Sequence, residues 1–559
     1  MSLIDRNQRF GGTAAEQDEL INDYDGFYDT RDFDTIRDEH DRRTFIIGRT
    51  GSGKSACFLQ LRKSYSDRVA TIDPRSFSFQ HIINTRVMEK LREYNVRLDP
   101  FFYSLWTHVI IVEIIRFKFP QKEAISISQI FEQLKEFLKR RNCREALQYV
   151  ESCGGLFWET HEVQAAKVVD HLTNKVNSEL SAELGLQGAG IRGSIKNESE
   201  NQLAVTQDIT SRFQLIVNEA IVKRMNAVVT TINDHVLTDP KDFMYITIDD
   251  LDKDWVDTSL ANLMIRCLFD VVLDLTQRIH NLKIVVALRT NLFQQLDLAG
   301  ASTQEEKYDG QTLNLKWGET DIRRFLRKRL QTASKRYSIN PPWELDKLLP
   351  HKTPQNDPLQ YIIDRTLLRP RDAIAFFNEI FVQASGKDMV RQDDIYTAER
   401  TYSRKRLDAL RDEWKSPYPD LDKVLHVFRQ RSSEMNLEDI TDVFNNISLL
   451  LLDDAFQGKS WLDPLCRSKK SKRTAADEDY NNMEEWYGYY GGLFMLLFDI
   501  GFLGFNRSKI KPNMHPTKSP LYSHMEESGA QMADESLETI GSFYIHPAFH
   551  QALAIRPRG

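Results

Sequence analysis

The sequence predicts an α/β fold: a parallel sheet flanked by helices, followed by helical segments and a C-terminal α+β part. Three stretches carry that expectation. Thr44-Phe45-Ile46-Ile47 is a short β-branched run that enters a glycine loop from Gly48 to Gly53 and then a helix. Phe243-Met244-Tyr245-Ile246-Thr247-Ile248 is a second apolar run, ending in Asp249-Asp250-Leu251-Asp252. Leu282-Lys283-Ile284-Val285-Val286-Ala287-Leu288 is a third, ending in Arg289-Thr290-Asn291. Short apolar runs bounded by glycine or polar residues read as central parallel strands covered on both faces.

Composition bounds the rest. A chain of 559 residues exceeds one hydrophobic core, so two to four domains are expected. A hydrophobic fraction of 41% and an aromatic fraction of 10% indicate a globular chain. The net charge of −7 supplies no global basic field for nucleic acid, so any such contact must be a local patch. Cys57, Cys143, Cys153, Cys267 and Cys466 are scattered, with no CxxC pair, which argues against zinc or a disulfide framework and for a reducing compartment. Met1 to Arg6 lacks an apolar signal core, and runs such as Val109 to Ile115 contain charge and are too short to span a bilayer. A cytoplasmic protein without membrane association is expected.

In order along the chain, residues 1–40 are acidic and read as one or two short lead-in helices, lying over a bound base or forming a surface arm. The 44–59 stretch follows. Gly48, Gly51 and Gly53 let the backbone turn with its N–H groups inward, a nest for an anion, and the next helix adds its positive dipole end. Lys54 brings a cation to the β- and γ-phosphates, and the Ser55 hydroxyl is placed for Mg²⁺. Gly48, Arg49, Thr50, Gly51, Ser52, Gly53, Lys54, Ser55 and Ala56 are therefore the candidate triphosphate-holding set. Arg68 to Asp73 reads as a strand stopped by Pro74. Phe101, Phe102, Leu105, Trp106, Val109, Ile110 and Ile114 share one broad helical face, read as core.

Residues 120–235 read as an insertion. It holds an amphipathic helix around Ile130, Leu134 and Phe137 with basic Lys135, Lys139, Arg140 and Arg141. A glycine-dense hairpin or loop at 185–193 and a helix through Phe213, Ile216 and Ile221 follow. At the end of the second apolar run, Asp249 would hold Mg²⁺ beside Ser55, and Asp250 would orient or deprotonate an attacking water. Leu260 to Val272 is helical. Polar residues at the C-terminal end of a parallel strand face the ligand crevice, so Arg289 and then Asn291 are the candidates to sense a γ-phosphate.

With these runs in place the chain resembles the additional-strand P-loop ATPases: the AAA+ and STAND groups and the bacterial KAP-like NTPases. The carrying residues are GRTGSGKS, then IDDLD, then VVALRTN. The resemblance implies an α/β P-loop NTPase core, a helical lid and a C-terminal winged-helix-like α+β module. The expected divisions are lead-in helices at 1–40, the core at 41–300 with its insertion at 120–235, the lid at 301–390 and the C-terminal module at 391–559. Leu313 to Trp317 and the basic helix Asp321 to Leu330 look like the start of the lid. Leu368-Arg369-Pro370-Arg371-Asp372 looks like a sensor-2 turn, with Pro370 near the base, Arg371 on the phosphates and Arg369 competing for that role. Arg266, Arg278, Arg323 and Arg324 remain undistinguished as an arginine finger.

The C-terminal part shows a helix from Tyr489 ended by glycine at 501–504, a strand at 542–546 and a last helix from Ala548 to Ala554. A winged helix binds DNA or packs on the ATPase; an isoelectric point near 6.1 favours packing. The basic run Arg467 to Arg473 reads as a charged loop.

The function implied is a Mg²⁺-dependent ATP-binding and hydrolysing switch or assembly ATPase, with ATP between core and lid. By the resemblance its role is bacterial or archaeal defence or stress signalling, as a homo-oligomer or with a partner effector. The alternatives are a DNA-associated motor or loader, and a nucleotide-binding scaffold without turnover.

Overall fold

The three apolar runs become three neighbouring strands of one parallel sheet. The computed structural model describes residues 3–74, 98–119, 127–153, 223–251, 258–296, 308, 310–353, 356–466, 483–507, 520–523 and 540–557. The chain divides into two compact units. One comprises Asp29–Arg49 and Lys54–Leu315; the other comprises Met1–Tyr28, Thr50–Gly53 and Lys316–Gly559.

The first unit is built on β1 (Phe45–Gly48), β2 (Val69–Ile72), β3 (Met244–Ile248), β4 (Leu282–Arg289) and β5 (Thr312–Asn314), in the order β2-β3-β4-β1-β5. Among the described residues every pairing in this sheet is parallel. All residues of β1 and β3 are buried, as two covered faces require. The register sets Gly48 beside Arg289 and Ile248 beside Val286, so β1, β3 and β4 end close together. The helices Lys54–Ser64, Asp99–Lys118 and Thr258–Arg278 belong to this unit. A single broad apolar face was expected of Asp99–Lys118, but Ile111, Val112 and Ile115 are buried as well. A helix apolar nearly all round is enclosed nearly all round, and the Trp106 Nε1 donates to the Met264 carbonyl at 3.0 Å. The side chain of Phe101 lies outside the described residues.

Two expectations for this unit need correction. The sequence expects Leu313 to Trp317 to start the lid, with the core ending at 300. Thr312–Asn314 is instead the fifth strand, paired with β1, and the division falls between Leu315 and Lys316. The lead-in at 1–40 is also not one piece. Its residues to Tyr28 belong to the second unit, while helix Arg31–Arg37 belongs to the first. There the Lys283 ammonium, on β4, donates to the carbonyls of Thr35 and Asp38. In the insertion, Ile127–Arg140, Arg144–Cys153 and Lys223–Thr231 are helical; the glycine-dense 185–193 and the helix through Phe213 lie outside the described residues.

The second unit is mainly helical. Glu319–Arg336, Pro358–Asp364, Pro370–Gln383 and Gln392–Trp414 share a core that includes Phe325, Phe376, Phe377, Ile380 and Tyr402. The N-terminal arm joins it: Phe10 stacks on Phe377 at 4.6 Å, and Asp18 pairs with buried Arg329. The later part carries helices Leu437–Ser448, Lys459–Cys466 and Met483–Asp499 and three antiparallel strands. These are β6 (Glu434–Met435), β7 (Leu503–Arg507) and β8 (Ile540–Ile545), in the order β6-β8-β7. Helix Met483–Asp499 ends two residues before Gly501, whose φ of +79° suits a left-handed stop. The helix expected from Ala548 to Ala554 is only a 3₁₀ turn, Pro547–Phe549, followed by turns. Its backbone bonds keep no single helical spacing: the Phe549 and His550 N–H groups reach back three residues, Leu553 four and Ile555 five, and Arg556 then pairs with the backbone of Arg431 and Ser433. The basic run 467–473 lies outside the described residues. Among the described residues no helix is long and apolar enough to cross a membrane.

Candidate functional site

In the sheet unit, the helix after β1 begins at Lys54. Its ammonium donates to the carbonyls of Gly48 at 2.7 Å and Arg49 at 3.1 Å, folding the side chain back over the strand end that precedes it. The Ser55 hydroxyl donates to Asp249 Oδ2 at 2.7 Å, joining residues 194 positions apart. Asp249 follows β3, and its Oδ1 accepts the Asp250 N–H at 2.8 Å. Burial pushes the Asp249 carboxyl above its ordinary range, and the adjacent Asp250 adds to the rise. The Ser55 hydroxyl, the Asp250 N–H and the Lys54 charge act the other way. Asp250 holds a left-handed backbone, φ +59°, which aspartate tolerates better than most residues.

Arg289 ends β4 in register with Gly48, so the structure brings the predicted sensor arginine to the strand that leads into the loop. Asn291 lies in the short helix Thr290–Gln295 that follows, and Ala56 is half-buried in the first turn after the loop. Two hard oxygen groups side by side, one a desolvated carboxylate, fit Mg²⁺, which takes one or two protein oxygens and keeps waters or phosphates for the rest. Among the described residues no group of three or more His, Cys, Asp or Glu side chains forms a site for another metal.

In the helical unit, Thr50–Gly53 lies against residues from Lys316 onward. Gly51 and Gly53 have φ of +82° and +102°, which only glycine adopts at little cost. A Cβ on Gly51 would lie 2.7 Å from the Arg371 Cβ. The Arg371 N–H donates to the Gly51 carbonyl at 3.4 Å, and its Nε donates to the Thr13 carbonyl at 3.0 Å. Arg369 Nη1 donates to the Thr50 carbonyl at 3.0 Å, and Trp317 Nε1 to the Ser52 carbonyl at 2.7 Å. Ser52 is buried; its hydroxyl and that of Thr50 have no hydrogen-bond partner among the described residues.

Arg369 is itself enclosed. Its Nε bonds Asp372 at 2.9 Å and its Nη1 lies 3.5 Å from Glu413, while Asp372 also pairs with Arg406. Burial would raise the Asp372 carboxyl, but the two arginines more than offset it and hold it down at about 2. Pro370 is buried at the first position of its helix, which gives it a packing role there. Among the arginine-finger candidates, Arg278 pairs with Asp274 and Arg323 with Glu319; Arg266 is half-buried and Arg324 exposed.

Sequence reasoning did not assign Trp317 to the loop and ranked Arg369 second. A lone tryptophan after a short strand carries no local sign that its indole N–H meets a carbonyl 265 residues away. Trp317 also borders a cavity of about 530 Å³, together with Asp364, Leu368, Tyr522 and His546.

Residues 320–411 match the family described as the FunZ-associated C-terminal helical domain. That stretch contains Arg369, Arg371, Asp372 and Arg406. The chain is 23% identical over 451 residues to a putative transposon gamma-delta 80.3 kDa protein of Escherichia coli strain K12. The alignment covers 78% of this chain and 56% of that protein, so the chain spans little more than half the length of its relative. No solved structure matches the chain.

Proposed function

We propose that this protein is a Mg²⁺-dependent ATP-binding and hydrolysing switch of the additional-strand P-loop class. The observation that carries the reading is the 2.7 Å hydrogen bond from Ser55, just after the glycine loop, to Asp249, just after β3. The strand order supports it, since β4 lies between the loop-bearing β1 and the acidic β3. Lys54 would exchange its carbonyl partners for β- and γ-phosphate oxygens. Ser55 and Asp249 would hold the metal, whose bound charge neutralises the triphosphate. Asp250 would orient the attacking water, and Arg289, at the adjacent strand end, would report the γ-phosphate. Turnover is expected to be slow or to need a second copy or a partner effector, because none of Arg266, Arg278, Arg323 and Arg324 stands out as an arginine finger.

Lys54→Ala should abolish ATP binding, while Asp250→Ala should bind ATP and not turn it over. Normal hydrolysis by Asp250→Ala would remove the catalytic assignment. ATP binding that depends on Lys54, without turnover by wild type alone or with partners, would favour a nucleotide-binding scaffold.

A second reading, a DNA-associated motor or loader, draws on two observations. The order β6-β8-β7 with helices Leu437–Ser448, Lys459–Cys466 and Met483–Asp499 supports a winged-helix-like module. The relative's name also refers to a transposon. Duplex binding that weakens steeply with salt would support it; no binding at low salt would exclude it.

A further inference from the structure

Three successive carbonyls of the glycine loop, those of Thr50, Gly51 and Ser52, each accept a hydrogen bond from the segment that begins at Lys316. The donors are Arg369 Nη1 at 3.0 Å, the Arg371 backbone N–H at 3.4 Å and Trp317 Nε1 at 2.7 Å. A trans peptide unit is planar, with its carbonyl and N–H on opposite sides. A donor that fixes the carbonyls of residues 50, 51 and 52 therefore also aims the N–H groups of residues 51, 52 and 53 the other way.

We infer that Trp317 and Arg369 are positioning residues that shape the loop into an anion nest, and that neither contacts the nucleotide. The inference rests on the nucleotide reading above and deepens it. An arginine free to meet a phosphate should not be spent on two carboxylates and a carbonyl. Arg369 is buried, with Asp372 on its Nε and Glu413 near its Nη1, and Asp372 is locked in turn by Arg406. The Arg371 N–H is one of the open donors of a helix start, and the Gly51 carbonyl satisfies it. Trp317 is held by Phe325, edge-on at 5.5 Å, and by Tyr28 at 5.8 Å. In the same four residues the hydroxyls of Thr50 and Ser52 are buried without partners among the described residues, as groups awaiting a polar ligand would be.

The test uses the full chain and two probes, Mg²⁺-ATP and Mg²⁺-tripolyphosphate, the second having no base or ribose. Trp317→Phe keeps an aromatic ring and removes the donor. It should weaken both probes by the same factor, about 5-fold. Arg369→Lys, which cannot serve Asp372 and the Thr50 carbonyl together, should weaken both by about 10-fold or more. Tyr361→Phe is the control for general loosening, because it removes a hydrogen bond to Glu399 in the same helical region. It should lower the melting temperature and leave both affinities unchanged. The inference is overturned if Trp317→Phe loses ATP affinity alone, the mark of a base platform, or if wild type and both variants bind tripolyphosphate equally. Wild type that binds neither probe removes the nucleotide reading and this inference together.

Discussion

Gly51→Ala probes the loop most directly, and the structure sets its size. At φ +82° an L-residue pays about 1–2 kcal/mol for the left-handed backbone. The added Cβ would also lie 2.7 Å from the Arg371 Cβ and 3.0 Å from its Cδ. Forced overlap of packed atoms costs about 1–3 kcal/mol. The total, about 2–5 kcal/mol, would appear as weaker triphosphate binding if the loop opens to escape the clash, or as lower stability if it does not. In binding alone that is roughly 30-fold to several thousand-fold. Gly53→Ala is the internal standard. Its φ is +102°, but its Cβ would meet only Trp317 Cζ2 at 3.9 Å, an ordinary contact. Backbone strain alone predicts about 1–2 kcal/mol, roughly 5- to 30-fold. Calorimetric titration with Mg²⁺-ATP and a melting curve on each variant measure the two shares. A summed cost for Gly51→Ala no larger than that for Gly53→Ala would refute the contact with Arg371.

Two further outcomes test the folded units. Burial lowers His108 to about 4 from the ordinary 6.5, so the unfolded chain takes up the extra proton between those values. Stability should therefore fall as pH drops through that window, by up to about 3 kcal/mol, and His108→Gln should flatten the fall in urea midpoints between pH 6.5 and 4.5. An equal fall in the variant would refute it. Asp18→Ala strands the buried Arg329 charge and should cost about 3–5 kcal/mol, a drop in melting temperature of roughly 6–20 °C. The double change Asp18→Asn with Arg329→Met should cost less than Asp18→Ala alone; a larger drop would show that the pair is not the source.

Much of the sheet unit was legible because its signals are local. β1, β3 and β4 are largely apolar runs, and central parallel strands need that burial on both faces. β5 was missed because an edge strand of three residues buries only Leu313 fully and leaves no run to read. The helix expected at 548–554 failed for the opposite reason. Its residues suit a helix, but its backbone bonds shift between three-, four- and five-residue spacing, and Arg556 just after it pairs with Arg431 and Ser433, more than 120 residues earlier. The arm from Met1 to Tyr28 gave no sign that Phe10 would stack on Phe377, since an aromatic residue in a polar stretch does not name its partner.

Spacing along the chain was enough to nominate Gly51, Gly53, Lys54, Ser55, Asp249 and Asp250, because a tight turn, a cation and adjacent carboxylates are short-range chemistry. Which groups meet was decided only by the fold. Parallel register brought Arg289 beside Gly48 and the β3 end to Ser55, and helical packing brought Trp317 and Arg369 to the carbonyls of Ser52 and Thr50. Those pairings depend on chain reversals hundreds of residues long, whose outcome is set by burial of whole faces and not by any residue's neighbours in sequence.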